Sequence, residues 1–129
     1  MADILKEVTQ DTGVYECAIS HLGGPDFMVL LSVKDFERYC SEVGSRFKHK
    51  RNTLYGGVDL NRGMIHMELS GEGAADYPLM SVAVGVVTNE NIKFRDSAQV
   101  VKVAGEVNKR AQAQVSNGNI EIVRQGILL

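Results

Sequence analysis

The stretch Ser20-His21-Leu22-Gly23-Gly24-Pro25-Asp26-Phe27-Met28-Val29-Leu30-Leu31 decides how this chain is read. Two short runs rich in β-formers, Tyr15 to Leu22 and Phe27 to Leu31, flank Gly23-Gly24-Pro25-Asp26, which is a set of turn residues. The stretch therefore reads as a β-hairpin. Before it, residues 3–10 read as a short helix with Ile4, Leu5 and Val8 on one side, broken by Asp11-Thr12-Gly13. After it, Val33 to about Arg51 reads as a helix, because Phe36, Cys40, Val43 and Phe47 step by four, three and four residues along one face. Ser32 is the expected N-cap, with Asp35 three residues later. The end of this helix is basic, through Arg46, Lys48, His49, Lys50 and Arg51. Such a run suits the helix dipole and solvation, or else forms a patch for an anionic ligand or partner.

Further along, Tyr55 to Arg62 reads as a loop, with Gly56-Gly57 near its start and Asn61-Arg62-Gly63 at its end. Met64 to Leu69 alternates as a half-exposed strand, Ser70-Gly71-Glu72-Gly73 turns the chain, and Leu79 to Val87 reads as a more apolar strand. Pro78 is expected at the start of that strand, where its missing N–H is tolerated. A second long helix is expected from Asp96 or Ser97 to about Gln114, with Val100, Ala104, Val107 and Ala111 inward. Ser116-Asn117-Gly118-Asn119 should end it, before a last strand at Ile120 to Val123. The expected order is α-ββ-α-ββ-α-β, an α+β arrangement of helices layered on a mainly antiparallel sheet.

Composition narrows the possibilities. A chain of 129 residues, 44% hydrophobic and 23% charged, is the size of one domain and can bury a core of its own. Fourteen Lys and Arg against sixteen Asp and Glu give a net charge of -2, which argues against a nucleic-acid binder that uses its whole surface. The N-terminus has no signal-peptide pattern, and the apolar run Val82 to Val87 is far shorter than the ~20 residues of a membrane span. The cytoplasm is the expected compartment. Cys17 and Cys40 make no CxxC or zinc pattern and read as small buried hydrophobes. There is no P-loop and no H-E-x-x-H motif. His21 and His66 read as strand residues, and Met64, Met67 and Met80 as packing.

The hairpin Ser20 to Leu31 resembles the signature hairpin of the GGDEF family, the bacterial diguanylate cyclases. Downstream, Pro78-Leu79-Met80-Ser81-Val82-Ala83-Val84-Gly85-Val86-Val87 is similar to that family's S-[IV]-G-[VI] strand, and Ala104 to Gln112 to its last helix. The resemblance implies a nucleotide-cyclase or palm-like fold and a role in cyclic di-GMP signalling. It implies that two facing domains each hold one GTP, with metal ions neutralising the charge that develops in phosphoryl transfer. It places nucleotide contacts at Gly23, Gly24 and Asp26 and a metal ligand at Asp26, with Mg²⁺ accompanying any bound GTP.

The chain departs from the family where that chemistry lies. The third signature position, an acidic metal ligand in the family, is Pro25, which has neither a charge nor an N–H. The fourth carries Asp26 in place of Glu, and the family's phosphate-contacting Lys is Gln112. The Arg-x-x-Asp of the family's inhibitory product site corresponds to Val14 and Cys17. Residues 1–10 match the family's second helix, so the chain reads as a shortened domain or as the C-terminal part of a longer one. An absent opening strand would leave unpaired sheet edges, filled by dimerisation, strand exchange or rearrangement, with Ile127-Leu128-Leu129 as a candidate apolar tail. The function expected is therefore a degenerate GGDEF domain, a regulatory or interaction module without catalytic residues. Its implied partners are GTP, a second copy, or another signalling domain. The alternatives are the C-terminal part of an active diguanylate cyclase and a GTP-sensing domain without turnover.

Overall fold

Ile4, Leu5 and Val8 recur at the spacing of one helical face, and in the computed structural model all three are buried on α1 (Ala2–Thr12). The structure describes residues 1–115 and the backbone of 120–124. The expectations for Ser116 to Asn119 and for Ile127 to Leu129 lie outside the described residues. The chain divides into two compact units, Met1–Arg51 and Asn52–Leu129.

In the first unit, α1 is followed by β1 (Cys17–Gly23), β2 (Asp26–Leu31) and α2 (Phe36–Asn52), whose last residue falls just past the boundary. The two strands form the expected antiparallel hairpin, in which Cys17 pairs with Leu31, Ile19 with Val29 and His21 with Phe27. Strand alternation then places Cys17, Ile19, Phe27, Val29 and Leu31 on one face, packed against buried Ile4, Leu5, Val8, Val14, Tyr39 and Val43. Tyr39 was not among the anticipated core residues. Its ring is buried while its hydroxyl donates to the Leu5 carbonyl at 2.9 Å, so a polar tip is satisfied inside an apolar site. The Thr9 hydroxyl lies 3.3 Å from that hydroxyl and 3.4 Å from the Cys17 sulfur, and itself donates to Leu5 O.

The start of α2 differs from expectation. Ser32 opens a turn, accepting from the Asp35 N–H at its carbonyl and from the Lys34 N–H at its hydroxyl. The first helical bond runs from Tyr39 N to Asp35 O, so Asp35 is the residue that begins the helix. Its basic end is not one patch either. Arg46 reaches Asp11 at 2.8 Å, with Glu7 and Glu42 within 4 Å, and Arg51 is buried.

In the second unit, α3 (Gly57–Arg62) replaces the expected loop. Gly56 and Gly63 stand at its two ends, with Leu60 N bonded to Gly56 O and Gly63 N to Asp59 O. The glycines are therefore caps, and none of the helix's residues is buried to give a periodic signal. β3 (Met64–Leu69) is as expected, but it pairs with a strand that sequence reasoning missed, β4 (Gly73–Pro78). Gly-Ala-Ala-Asp-Tyr-Pro has weak strand propensity and is exposed throughout, so its conformation comes from pairing and not from its own pattern. Pro78 consequently ends β4, opposite Met64, and does not start the apolar strand.

That strand is shorter than expected, β5 (Val82–Val86), and is followed by α4 (Ser97–Gln114) and β6 (Ile120–Arg124). α4 begins as anticipated. Asp96 accepts from Gln99 N at 2.8 Å, while the Gln99 side chain accepts from Arg95 N at 2.8 Å, a reciprocal cap. It ends at Val115, in extended backbone, before the glycine expected to stop it. Val107 and Ala111 of the anticipated stripe are buried. β5 and β6 pair in parallel, which corrects the expectation of a mainly antiparallel sheet at this point. A helix between two strands is what permits parallel pairing, because the chain must cross back before starting the second strand.

Among the described residues, hydrogen bonding forms three two-stranded sheets, two antiparallel and one parallel. The order is α-ββ-αα-βββ-α-β, and the protein is mixed α+β.

Two expected outcomes follow. At Gly85, a Cβ would lie 2.6 Å from the backbone nitrogen of Asn108 and 2.8 Å from its Cα, so α4 can lie this close only because residue 85 has no side chain. Gly85→Ala should cost about 1–3 kcal/mol in urea unfolding. An unchanged midpoint would contradict the close approach. Burial, opposed by the Thr9 hydrogen bond and reinforced by the Cys17 and Cys40 thiols, raises the Tyr39 pKa, and burial raises that of Cys40. Because the folded pKa values are raised, the linked stability is fully present below the ordinary Cys and Tyr values of about 9–10 and is lost as pH climbs through the raised ones. Tyr39→Phe should be less stable than the parent at pH 8, by about 1 kcal/mol for the lost hydrogen bond. That gap should narrow towards pH 11 in denaturation measured across the range.

Candidate functional site

The Gly-Gly turn is built by the two strands of the first unit. Pairing passes from His21–Phe27 to Gly23–Asp26, so Leu22 is left over as a bulge. Gly24 and Pro25 form the two-residue connection. Gly24 has φ 54 and Gly23 φ 111, both in the region that favours glycine. Pro25 is held near φ −65° by its ring, so a positive φ is followed by a negative one where the chain reverses. Gly23, Gly24, Pro25 and Asp26 are all exposed. Nothing lies within 4 Å of a Cβ built on Gly23 or Gly24, so a ligand could approach this backbone closely.

A side chain that sequence reasoning assigned no task shapes this turn. The His21 Nε2 lies 2.9 Å from the Gly24 carbonyl oxygen. Its ring stacks on Phe27, with centroids 4.7 Å apart and planes 25° from parallel. A histidine two residues before a Gly-Gly turn is the signal that was available in the sequence.

The structure gathers the three implied nucleotide residues, Gly23, Gly24 and Asp26, in one turn. Asp26 offers one carboxylate, whereas Mg²⁺ takes six oxygens. Among the described residues no three His, Cys, Asp or Glu side chains come together in a group that could hold a metal ion. Val14 is buried and Cys17 packs against the apolar core. Gln112 is exposed on α4 in the second unit. His66 is exposed, with Nδ1 2.8 Å from the Asp76 carboxylate opposite it on β4. An exposed pair of this kind contributes about 0–1 kcal/mol.

No protein-family model matches the chain, and neither a curated protein nor a solved structure matches it. Among the described residues, no helix is long and apolar enough to cross a membrane.

Since a side chain at position 24 would meet open space, the cost of Gly24→Val is backbone strain alone. It should lower stability by about 1–3 kcal/mol in chemical denaturation. A loss below about 0.5 kcal/mol would show that the turn does not require the left-handed region.

Proposed function

We propose that this chain is a degenerate GGDEF domain of cyclic di-GMP signalling, a regulatory or interaction module that does not itself make the dinucleotide. The observation that carries the reading is the hairpin turn. It has the two glycines of the signature, both at positive φ, and Pro25 where the family places an acidic metal ligand. Gly85 adds support. It falls at the glycine of the S-[IV]-G-[VI] resemblance and allows the following helix to approach its strand.

The physical case against turnover is electrostatic. Phosphoryl transfer depends on positioning and on neutralising the negative charge of the transferring phosphate, in this family through metal ions and a lysine. At the matching positions Pro25 removes a carboxylate and a backbone donor, and Gln112 removes a full positive charge. Asp26 remains, one methylene shorter than Glu.

A second reading, a GTP-sensing domain without turnover, is favoured by the open space around Gly24, which leaves the backbone accessible to a phosphate. The localisation implied by either reading is cytoplasmic.

Incubation of the chain with GTP and Mg²⁺ should yield no cyclic di-GMP by chromatography, and clear turnover would overturn the proposal. Titration calorimetry with GTP and with cyclic di-GMP separates the two readings. Silence with both is expected for an interaction module. GTP binding that is lost in Gly24→Val would establish the sensor instead.

A further inference from the structure

The carbonyl of Gly24 can only accept a hydrogen bond, so the nitrogen 2.9 Å from it, His21 Nε2, must carry the proton. The neutral ring is thereby fixed as the Nε2–H tautomer, with Nδ1 the acceptor. The ring cannot swing freely, because it lies against Phe27. Phe27 in turn packs on the buried cluster of Ile4, Leu5, Val8, Val14, Tyr39 and Val43. A continuous line of contact therefore runs from the core through Phe27 and His21 to the tip of an exposed turn.

That tip has few other restraints. Its two loop residues are Gly24, at φ 54, and Pro25, which carries no N–H. Glycine has the widest backbone freedom of any residue, so Gly24 alone would leave the turn free to change conformation. The Leu22 bulge breaks the ladder one residue before Gly23, which removes further restraint from the strand side.

We propose that His21 is a positioning residue for the Gly23–Gly24 turn: its Nε2–H holds the Gly24 carbonyl, and its stack on Phe27 transmits the rigidity of the core to the turn. The part of this inference that concerns a ligand rests on the nucleotide reading given above. There, His21 presents the Gly24 backbone in one conformation to the phosphate of a nucleoside triphosphate, and the ordering cost is met before binding.

Both readouts are taken on the ligand-free chain. Nitrogen-15 spectra of the His21 ring at neutral pH should show the Nε2-protonated tautomer; the Nδ1-protonated form would overturn the proposal. Amide exchange at Gly24 and Asp26 is compared in His21→Ala, His21→Phe and His21→Gln. Exchange should quicken about three- to tenfold in the Ala and Phe variants, the effect of one lost hydrogen bond, and stay near the parent rate in Gln, which keeps a donor. If His21→Phe behaves like the parent, the stack alone orders the turn and the donor has no role, which overturns the proposal. His21 is exposed, so the variants should fold, and the tautomer measurement needs no variant at all. A GTP titration of the parent that stays silent would overturn the nucleotide reading while leaving the positioning role intact. A failed tautomer or exchange result would remove the positioning role and leave the nucleotide reading to its own titration.

Discussion

A two-stranded hairpin cannot hold itself together in water, and everything in the first unit follows from how this one is supported. One face of β1 and β2 carries Cys17, Ile19, Phe27, Val29 and Leu31, and these are covered by residues of α1 and α2. The helices depend on the same arrangement. An isolated helix of the length of α1 (Ala2–Thr12) is marginal in water, and it is the burial of Ile4, Leu5 and Val8 that stabilises it. The Tyr39 hydroxyl on the Leu5 carbonyl and the Arg46 guanidinium beside Asp11 then fix α1 and α2 relative to each other. The opposite face of the hairpin has no such cover within this unit, and Leu30 is 71% exposed. The turn at its tip is thus an exposed feature carried on a rigid base, the usual arrangement for a loop that meets a ligand or partner.

The second unit contains two arrangements of different character. β5, α4 and β6 form a crossover whose helix lies so close to β5 that residue 85 must be glycine. The reciprocal cap of Asp96 and Gln99 fixes where that helix begins. β3 and β4, by contrast, have no buried residue, and their side-chain link is the exposed His66–Asp76 pair. Little apolar burial and a single exposed hydrogen-bonded side-chain pair make this hairpin the part of the unit expected to open most readily.

At the Gly23–Gly24 turn, backbone and side chains point to different chemistry. The Gly-Gly hairpin has two positive-φ glycines, open space beside them and a His21–Phe27 stack below them. On the proposed reading, the charged groups of Gly23-Gly24-Pro25-Asp26 are reduced to Asp26. Shape without charge can bind or signal, but it provides little stabilisation to a transition state that accumulates negative charge.

The sequence by itself determined the elements whose signals are local. α1 and α4 followed from apolar periodicity and capping residues, and the β1–β2 hairpin from Gly-Gly-Pro-Asp between two β-rich runs. The candidate turn residues were legible for the same reason, since Gly23, Gly24 and Asp26 are neighbours in the chain. Tertiary structure decided the rest. β4 exists because β3 offers it a partner, and Gly-Ala-Ala-Asp-Tyr-Pro has no pattern of its own to announce it. Gly56 and Gly63 look like loop residues until the six-residue helix between them is seen. Whether β6 runs parallel or antiparallel to β5 depends on the path of the chain through α4, and whether His21 meets Gly24 depends on a bulge at Leu22. A strand's direction and a side chain's reach are set by pairing and packing between segments, and a local run of residues does not encode either one.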